Sequence, residues 1–254
     1  MNYIFHGAGF AFLGAIIGSF IALMTLRLPR NLPVFMTRSR CDNCGRKLYP
    51  WELIPIFSFA WLRGKCATCR APIAPRHLVI ELIAAGIGIW AAAIGGSHTE
   101  SVGFALFGFI GLAIAILDSE TLEIPDSFTL ALGITGLAWS FFQSISLGIA
   151  AIIGAAAGFS ILGAIRWAYG HLRQREGLGA ADPLLLAAIG AWVGWQALPI
   201  VLLIAAIAGL ALVCARAIVS GAWRSEEPIP FGPCLILGGW IALLYGKMFG
   251  LGAH

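Results

Sequence analysis

Two kinds of side chain in this sequence are spaced for chemistry: paired cysteines, and aspartates at the edges of apolar runs. Cys41-Asp42-Asn43-Cys44 and Cys66-Ala67-Thr68-Cys69 form two C-x-x-C pairs separated by twenty-one residues. A two-residue spacer lets both sulfurs of one turn reach the same ion, and two such turns complete a four-thiolate tetrahedral zinc site. Arg40, Arg46, Lys47, Lys65 and Arg70 flank the thiols, favouring thiolates and offsetting the negative charge of such a centre. A closed four-sulfur shell has no position open to water, so the expected zinc is structural rather than catalytic. Four unliganded thiols are the plainer alternative. Cys214 and Cys234 fall within apolar runs and read as small buried hydrophobes.

Asp118 closes one apolar run and Asp182 opens another, after Gly177-Leu178-Gly179-Ala180-Ala181. A charge beside the hydrocarbon is costly and usually marks function. Two carboxylates from different helices at one depth can share a single proton, so that one polarises a carbonyl while the other activates water. The plainer readings are a helix N-cap for Asp182, with Pro183 just inside the helix, and an interfacial acid for Asp118. Asp126 competes for the first carboxylate, but its place directly after Pro125 and before an apolar run suits helix capping. Glu120 and Glu123 read as solvated. Glu81, early in the second run, pairs with Arg76 by default, with substrate contact as the alternative, and Glu176 sits where it could help to position the glycine segment. The five histidines show no H-E-x-x-H spacing, which argues against a zinc metallopeptidase.

The elements that must hold these groups are set by composition. The chain has 254 residues, 59% hydrophobic and only 11% charged, with a mean hydropathy of +0.90. Those values exclude an ordinary soluble domain. Apolar runs recur at Gly7–Leu26, Leu78–Ile94, Val102–Leu117, Phe128–Phe142, Leu147–Ala168, Pro183–Gln196, Pro199–Val219 and Phe231–Met248. The expected fold is an all-α polytopic membrane protein of about eight transmembrane helices, with a small zinc-ribbon-like loop between helices 1 and 2. Residues 1–26 form the first helix, 27–77 the loop domain and 78–254 a seven-helix membrane domain. Pro199 is expected to separate the sixth and seventh helices. The first run has no basic residue ahead of it and is too long for a signal h-region, so it reads as a retained span.

With eight spans, fifteen of the sixteen Lys and Arg fall on one side and only Lys247 on the other. That bias makes the cysteine loop and both aspartates cytoplasmic and both termini external. Thiols stay reduced there, which argues against disulfides. The net charge of +4 reflects this orientation and gives no reason to invoke nucleic acid. No solenoid repeat or low-complexity tract is present, and the 32 glycines suit close helix packing in lipid.

Several segments together resemble the bacterial type IV prepilin peptidases. They are Gly18-Ser19-Phe20, Arg27-Leu28-Pro29, the four cysteines, Pro50-Trp51-Glu52-Leu53-Ile54-Pro55, Arg76 through Glu81, Asp118 with Ile124-Pro125-Asp126, and Gly177 through Asp182 with the following helix to Trp195. The resemblance implies a GxGD-type aspartic peptidase of the bacterial inner membrane with Asp118 and Asp182 as its catalytic pair. It implies cleavage of the basic leader of type IV prepilins or type II secretion pseudopilins. It further implies methylation of the new N-terminus from S-adenosylmethionine. The partners are then prepilin substrates, met through leader and N-terminal apolar helix, and membrane lipid, with room for a homo-oligomer. Two positions depart from the family: Ala181 replaces the usual Gly before the second aspartate, and Leu184 replaces the Lys two residues after it. Alanine fits only where φ is negative, and losing the lysine removes a cation beside Asp182. A proton-coupled transporter and a non-catalytic pilus or secretion scaffold are the competing readings.

Overall fold

A computed structural model describes residues 2–34, 38–173, 179–220 and 228–246. Among these residues the chain is helical, with two isolated bridges and no strand. The helices are α1 (Asn2–Arg27), a short α2 (Phe57–Trp61), α3 (Pro75–Ile94), α4 (His98–Thr121), α5 (Asp126–Gln143), α6 (Ile145–Arg173), α7 (Asp182–Val193), α8 (Leu198–Ser220) and α9 (Gly232–Tyr245).

Each expected apolar run falls on one helix, but the helices differ in length. Five stretches among the described residues are long and apolar enough to cross a membrane: His6–Arg30, Pro75–Ile94, His98–Thr121, Ile145–Arg173 and Trp195–Ser220. Asp182–Val193 and Gly232–Tyr245 are shorter apolar helices. At 1.5 Å per residue α7 reaches only about 18 Å, well short of the roughly 30 Å hydrocarbon core. The expectation for Pro199 needs correction. The break falls at Gly194, whose φ of 75° suits glycine, and Pro199 sits in the first turn of α8, where its missing N–H costs nothing.

The chain divides into two compact units, Met1–Phe109 and Ile110–His254. In the first, α1 and α3 pack antiparallel through small residues. A Cβ on Gly18 would meet Ala84 Cβ at 2.7 Å and Glu81 Cα at 2.9 Å, and one on Gly14 or Gly88 would run into the carbonyl of Ala84 or Phe10. At the loop end of this pair, Arg76 donates to Ala22 O at 2.8 Å and to Thr25 Oγ1 at 2.7 Å. This pinning replaces the expected Arg76–Glu81 pair: the Glu81 carboxylate instead accepts the N–H of Ile56 at 2.7 Å. Phe12, Ile16, Val79, Leu82, Ile83 and Ile89 are exposed, as side chains facing lipid would be.

In the second unit α7 is the enclosed element, with Leu185, Leu186, Ile189, Trp192 and Val193 at 2% exposure or less. Gly154 of α6 lies against Gly190, and a Cβ on Gly158 would meet Leu186 O at 2.6 Å. On the opposite side, Trp192 Nε1 donates to Leu132 O at 2.8 Å and Ser140 Oγ to Ala191 O at 3.0 Å. A Cβ on Gly136 would meet Trp192 Nε1 at 2.7 Å, so that glycine makes room for the indole. Helix α7 therefore cannot slide or turn without breaking buried hydrogen bonds, and Asp182 is its first residue.

Candidate active site

The four loop thiols come together: their sulfurs all lie within 4.8 Å of one another, and Cys41 and Cys69 are 3.8 Å apart. Zn–S bonds of about 2.3 Å in tetrahedral geometry place sulfurs roughly 3.8 Å apart, so the cluster fits zinc and could hold it. The two halves are built alike. Cys41 N donates to Arg46 O and Cys66 N to Ala71 O, both at 2.9 Å, closed by the bridges Arg40 to Lys47 and Lys65 to Pro72. Gly45 and Arg70, each directly after the second cysteine of its pair, take φ of 69° and 58°. The N–H groups of Cys69 and then Thr68 hold the Cys66 thiol down to about 6. Those of Ala71 and the Asn43 side chain lower that of Cys69. The thiolate is the form that binds metal. Arg46 anchors this lobe through Glu52 at 2.6 Å, and Glu52 also accepts the N–H of Tyr49 at 2.8 Å.

Asp118 and Asp182 both lie in the second unit, 6% and 4% exposed. Each carboxylate takes one backbone N–H from a glycine: Gly232 donates to Asp118 Oδ2 and Gly179 to Asp182 Oδ2, both at 2.8 Å. A side chain would spoil either contact, since a Cβ at Gly232 would lie 2.8 Å from Asp118 Oδ2 and one at Gly179 3.0 Å from Asp182 Oδ2. The two carboxyls act on one another electrostatically, and Arg166 acts on Asp182 as a cation. Helix α6 explains the arginine. Its buried stripe runs Gly148, Ala151, Gly154, Gly158, Leu162, and Arg166 is the next position. The antiparallel contacts of Gly154 with Gly190 and Gly158 with Leu186 continue to a register with Leu162 beside Asp182 and Arg166 one turn beyond.

The N-cap of α7 is Ala181, so the capping reading of Asp182 gives way to its bond with Gly179. Ala181 has φ −85° and ψ −17°, an ordinary right-handed conformation in which alanine replaces glycine without strain. Asp126 is exposed and is the first residue of α5; the N-cap is Pro125, and no side-chain capping bond is made. Asp126 therefore supports α5 only by placing negative charge at its N-terminus. Glu120 and Glu123 are exposed as expected, Cys234 is buried and Cys214 half-buried. Residues 174–178, with Glu176, Gly177 and Leu178, lie outside the described residues. Sequence reasoning missed Gly232 and Arg166; the signals were the Gly-Pro start of α9 and the stripe of α6 at three- and four-residue spacing.

Residues 12–94 match the bacterial peptidase A24 N-terminal domain, and residues 104–214 the type IV leader peptidase family. A prepilin leader peptidase/N-methyltransferase of Burkholderia pseudomallei (strain 1026b) is 43% identical over 227 residues, covering 87% of this chain and 72% of that protein. Its namesake from Aeromonas hydrophila is 40% identical over 219 residues, 86% of this chain and 74% of the relative. The one from Pseudomonas aeruginosa is 32% identical over 257 residues, 92% and 88%. No solved structure matches. With both halves matched and relatives similar over most of their length, this multi-pass chain belongs to the type IV leader peptidase family.

Proposed function

We propose that this chain is a membrane aspartic endopeptidase that cleaves the leader of type IV prepilins or pseudopilins at the cytoplasmic membrane face and then methylates the new N-terminus. The observation that carries the peptidase reading is the buried pair Asp118 and Asp182, each fixed by one glycine N–H and each within the electrostatic reach of the other. Two carboxyls that feel each other's charge favour one shared proton. The ionised carboxylate takes a proton from water as its oxygen adds to the scissile carbonyl, and the protonated one gives its proton to the carbonyl oxygen. Collapse of that intermediate breaks the C–N bond, and the proton returns to the departing amine. The protons belong to the pair, so neither role is fixed to one residue.

The four cysteines hold a structural zinc that organises residues 27–77, and residues 78–254 form the peptidase domain. S-adenosylmethionine supplies the methyl group for the second step. The basic loops place the cysteine lobe and the dyad in the cytoplasm with both termini external. A proton-coupled transporter is not favoured, because the two acids act on one another electrostatically, each held by a glycine N–H, instead of marking successive depths.

Asp118→Asn and Asp182→Asn tested separately in a host that processes a prepilin should each leave the precursor uncut. Normal processing by either variant would defeat the dyad assignment.

A further inference from the structure

The first unit contains a cavity of about 810 Å³ lined by α1, the cysteine lobe and the start of α3. It lies outside the aspartate site and is of the size that takes drug-sized ligands. Glu81 lines it and is only 7% exposed, although it lies six residues into an apolar helix. One carboxylate oxygen accepts the Ile56 N–H; among the described residues Glu81 makes no other hydrogen bond or ion pair. The second oxygen has no partner among these residues and is not sealed from solvent, so it is available to a donor that enters the cavity.

The backbone that holds it is strained as well. Ile56 has φ 65° and ψ −52°, and Phe57 N bonds to Pro55 O at 2.6 Å. This is a γ-turn of the rare positive-φ kind, with a β-branched residue at its centre. Such strain persists where surrounding structure enforces it, commonly at binding sites.

Four arginines line the same cavity, Arg27, Arg30, Arg38 and Arg40, against the acids Asp42, Glu52 and Glu81. Glu52 is already paired with Arg46. That balance disfavours a basic leader segment as occupant. It suits a zwitterion, with the open Glu81 oxygen for an ammonium and arginines for a carboxylate, and walls such as Phe59 and Leu62 supply apolar surface for an aromatic base.

We propose that this cavity is the S-adenosylmethionine site of the chain and that Glu81 accepts the ligand's α-ammonium group. The inference rests on the methyltransferase reading above. In the transfer, the methyl carbon leaves the sulfonium sulfur, which keeps the bonding pair and becomes a neutral thioether. The carbon forms a bond to the N-terminal nitrogen, whose proton is lost to water.

Titration calorimetry on the purified full-length protein, with S-adenosylmethionine, S-adenosylhomocysteine and 5′-methylthioadenosine, separates the outcomes. Glu81→Gln keeps an oxygen for the Ile56 N–H and removes only the charge. It should weaken the first two ligands about tenfold or more, by loss of one charge-assisted hydrogen bond, and leave methylthioadenosine, which lacks the α-ammonium group, unchanged. Ser19→Phe, which fills the cavity from α1, should abolish binding of all three. If both variants bind S-adenosylmethionine as the wild type does, the cavity is not its site although the methyltransferase reading stands. An equal loss of methylthioadenosine in Glu81→Gln would remove the ammonium role. A wild-type protein that binds none of the three would overturn the methyltransferase reading itself.

Discussion

Glycine matters beside the two aspartates for what it omits. At Gly232 and Gly179 the backbone comes close enough to give a carboxylate its N–H only because no Cβ stands between them. Gly232→Ala should push Asp118 off its N–H and lower kcat for leader cleavage by about tenfold or more, the scale of one charge-assisted bond. Ala181→Gly should change kcat little, because position 181 already has a negative φ; a large gain would show that the alanine distorts the loop. Arg166 acts on Asp182, beside which Leu184 supplies no cation. Arg166→Gln is expected to lower kcat about tenfold, and adding Leu184→Lys to restore much of it; a failure to restore would mean that the arginine serves packing. The placement of the two aspartates at helix ends was legible in the sequence because charge at the end of an apolar run is rare. Gly232 was not, since it lies 114 residues from the carboxylate it serves and no local pattern links them.

Helix α7 carries its aspartate on a frame of small residues and two buried hydrogen bonds. Trp192→Phe removes the bond to Leu132 O and should cost about 1 kcal/mol of stability plus the penalty for a buried carbonyl left alone, read as a lowered thermal midpoint in detergent. Gly158→Leu would overfill the contact with Leu186 and should cost about 1–3 kcal/mol. In the cysteine lobe, Arg46 is the chief cause holding the Glu52 carboxyl below its ordinary 4.5. That pair stabilises the lobe fully above pH 4.5, and the contribution disappears as pH falls through the lower folded value. Glu52→Gln should therefore flatten the acid dependence of Trp51 fluorescence, and an unchanged profile would remove the pair from the account. The helices themselves were legible from apolar runs. Their ends were not: Gly194 breaks the chain through its backbone conformation, while Pro199, conspicuous by residue type, lies in the first turn of α8. The pairing of Arg76 was misread for a related reason. A charge looks for the nearest opposite charge in sequence, but the α1 and α3 contact offered Thr25 and a carbonyl instead.

At the scale of the molecule, the first unit holds four clustered thiols and a ligand-sized cavity, and the second holds the two buried carboxylates. Zinc analysis of the purified protein should find about one ion per chain, and chelation should expose residues 27–77 to protease while leaving the helical signal intact; absence of zinc would dismiss the metal centre. The most direct measurement is the initial rate at which purified wild type, Asp118→Asn, Asp182→Asn and Asp126→Asn cut a purified prepilin in the same detergent. The dyad requires both of the first two variants to lose cleavage by a factor of about 10³ or more at unchanged thermal midpoint, with Asp126→Asn close to wild type. Wild-type rates in Asp118→Asn or Asp182→Asn, or a collapse confined to Asp126→Asn, would contradict it.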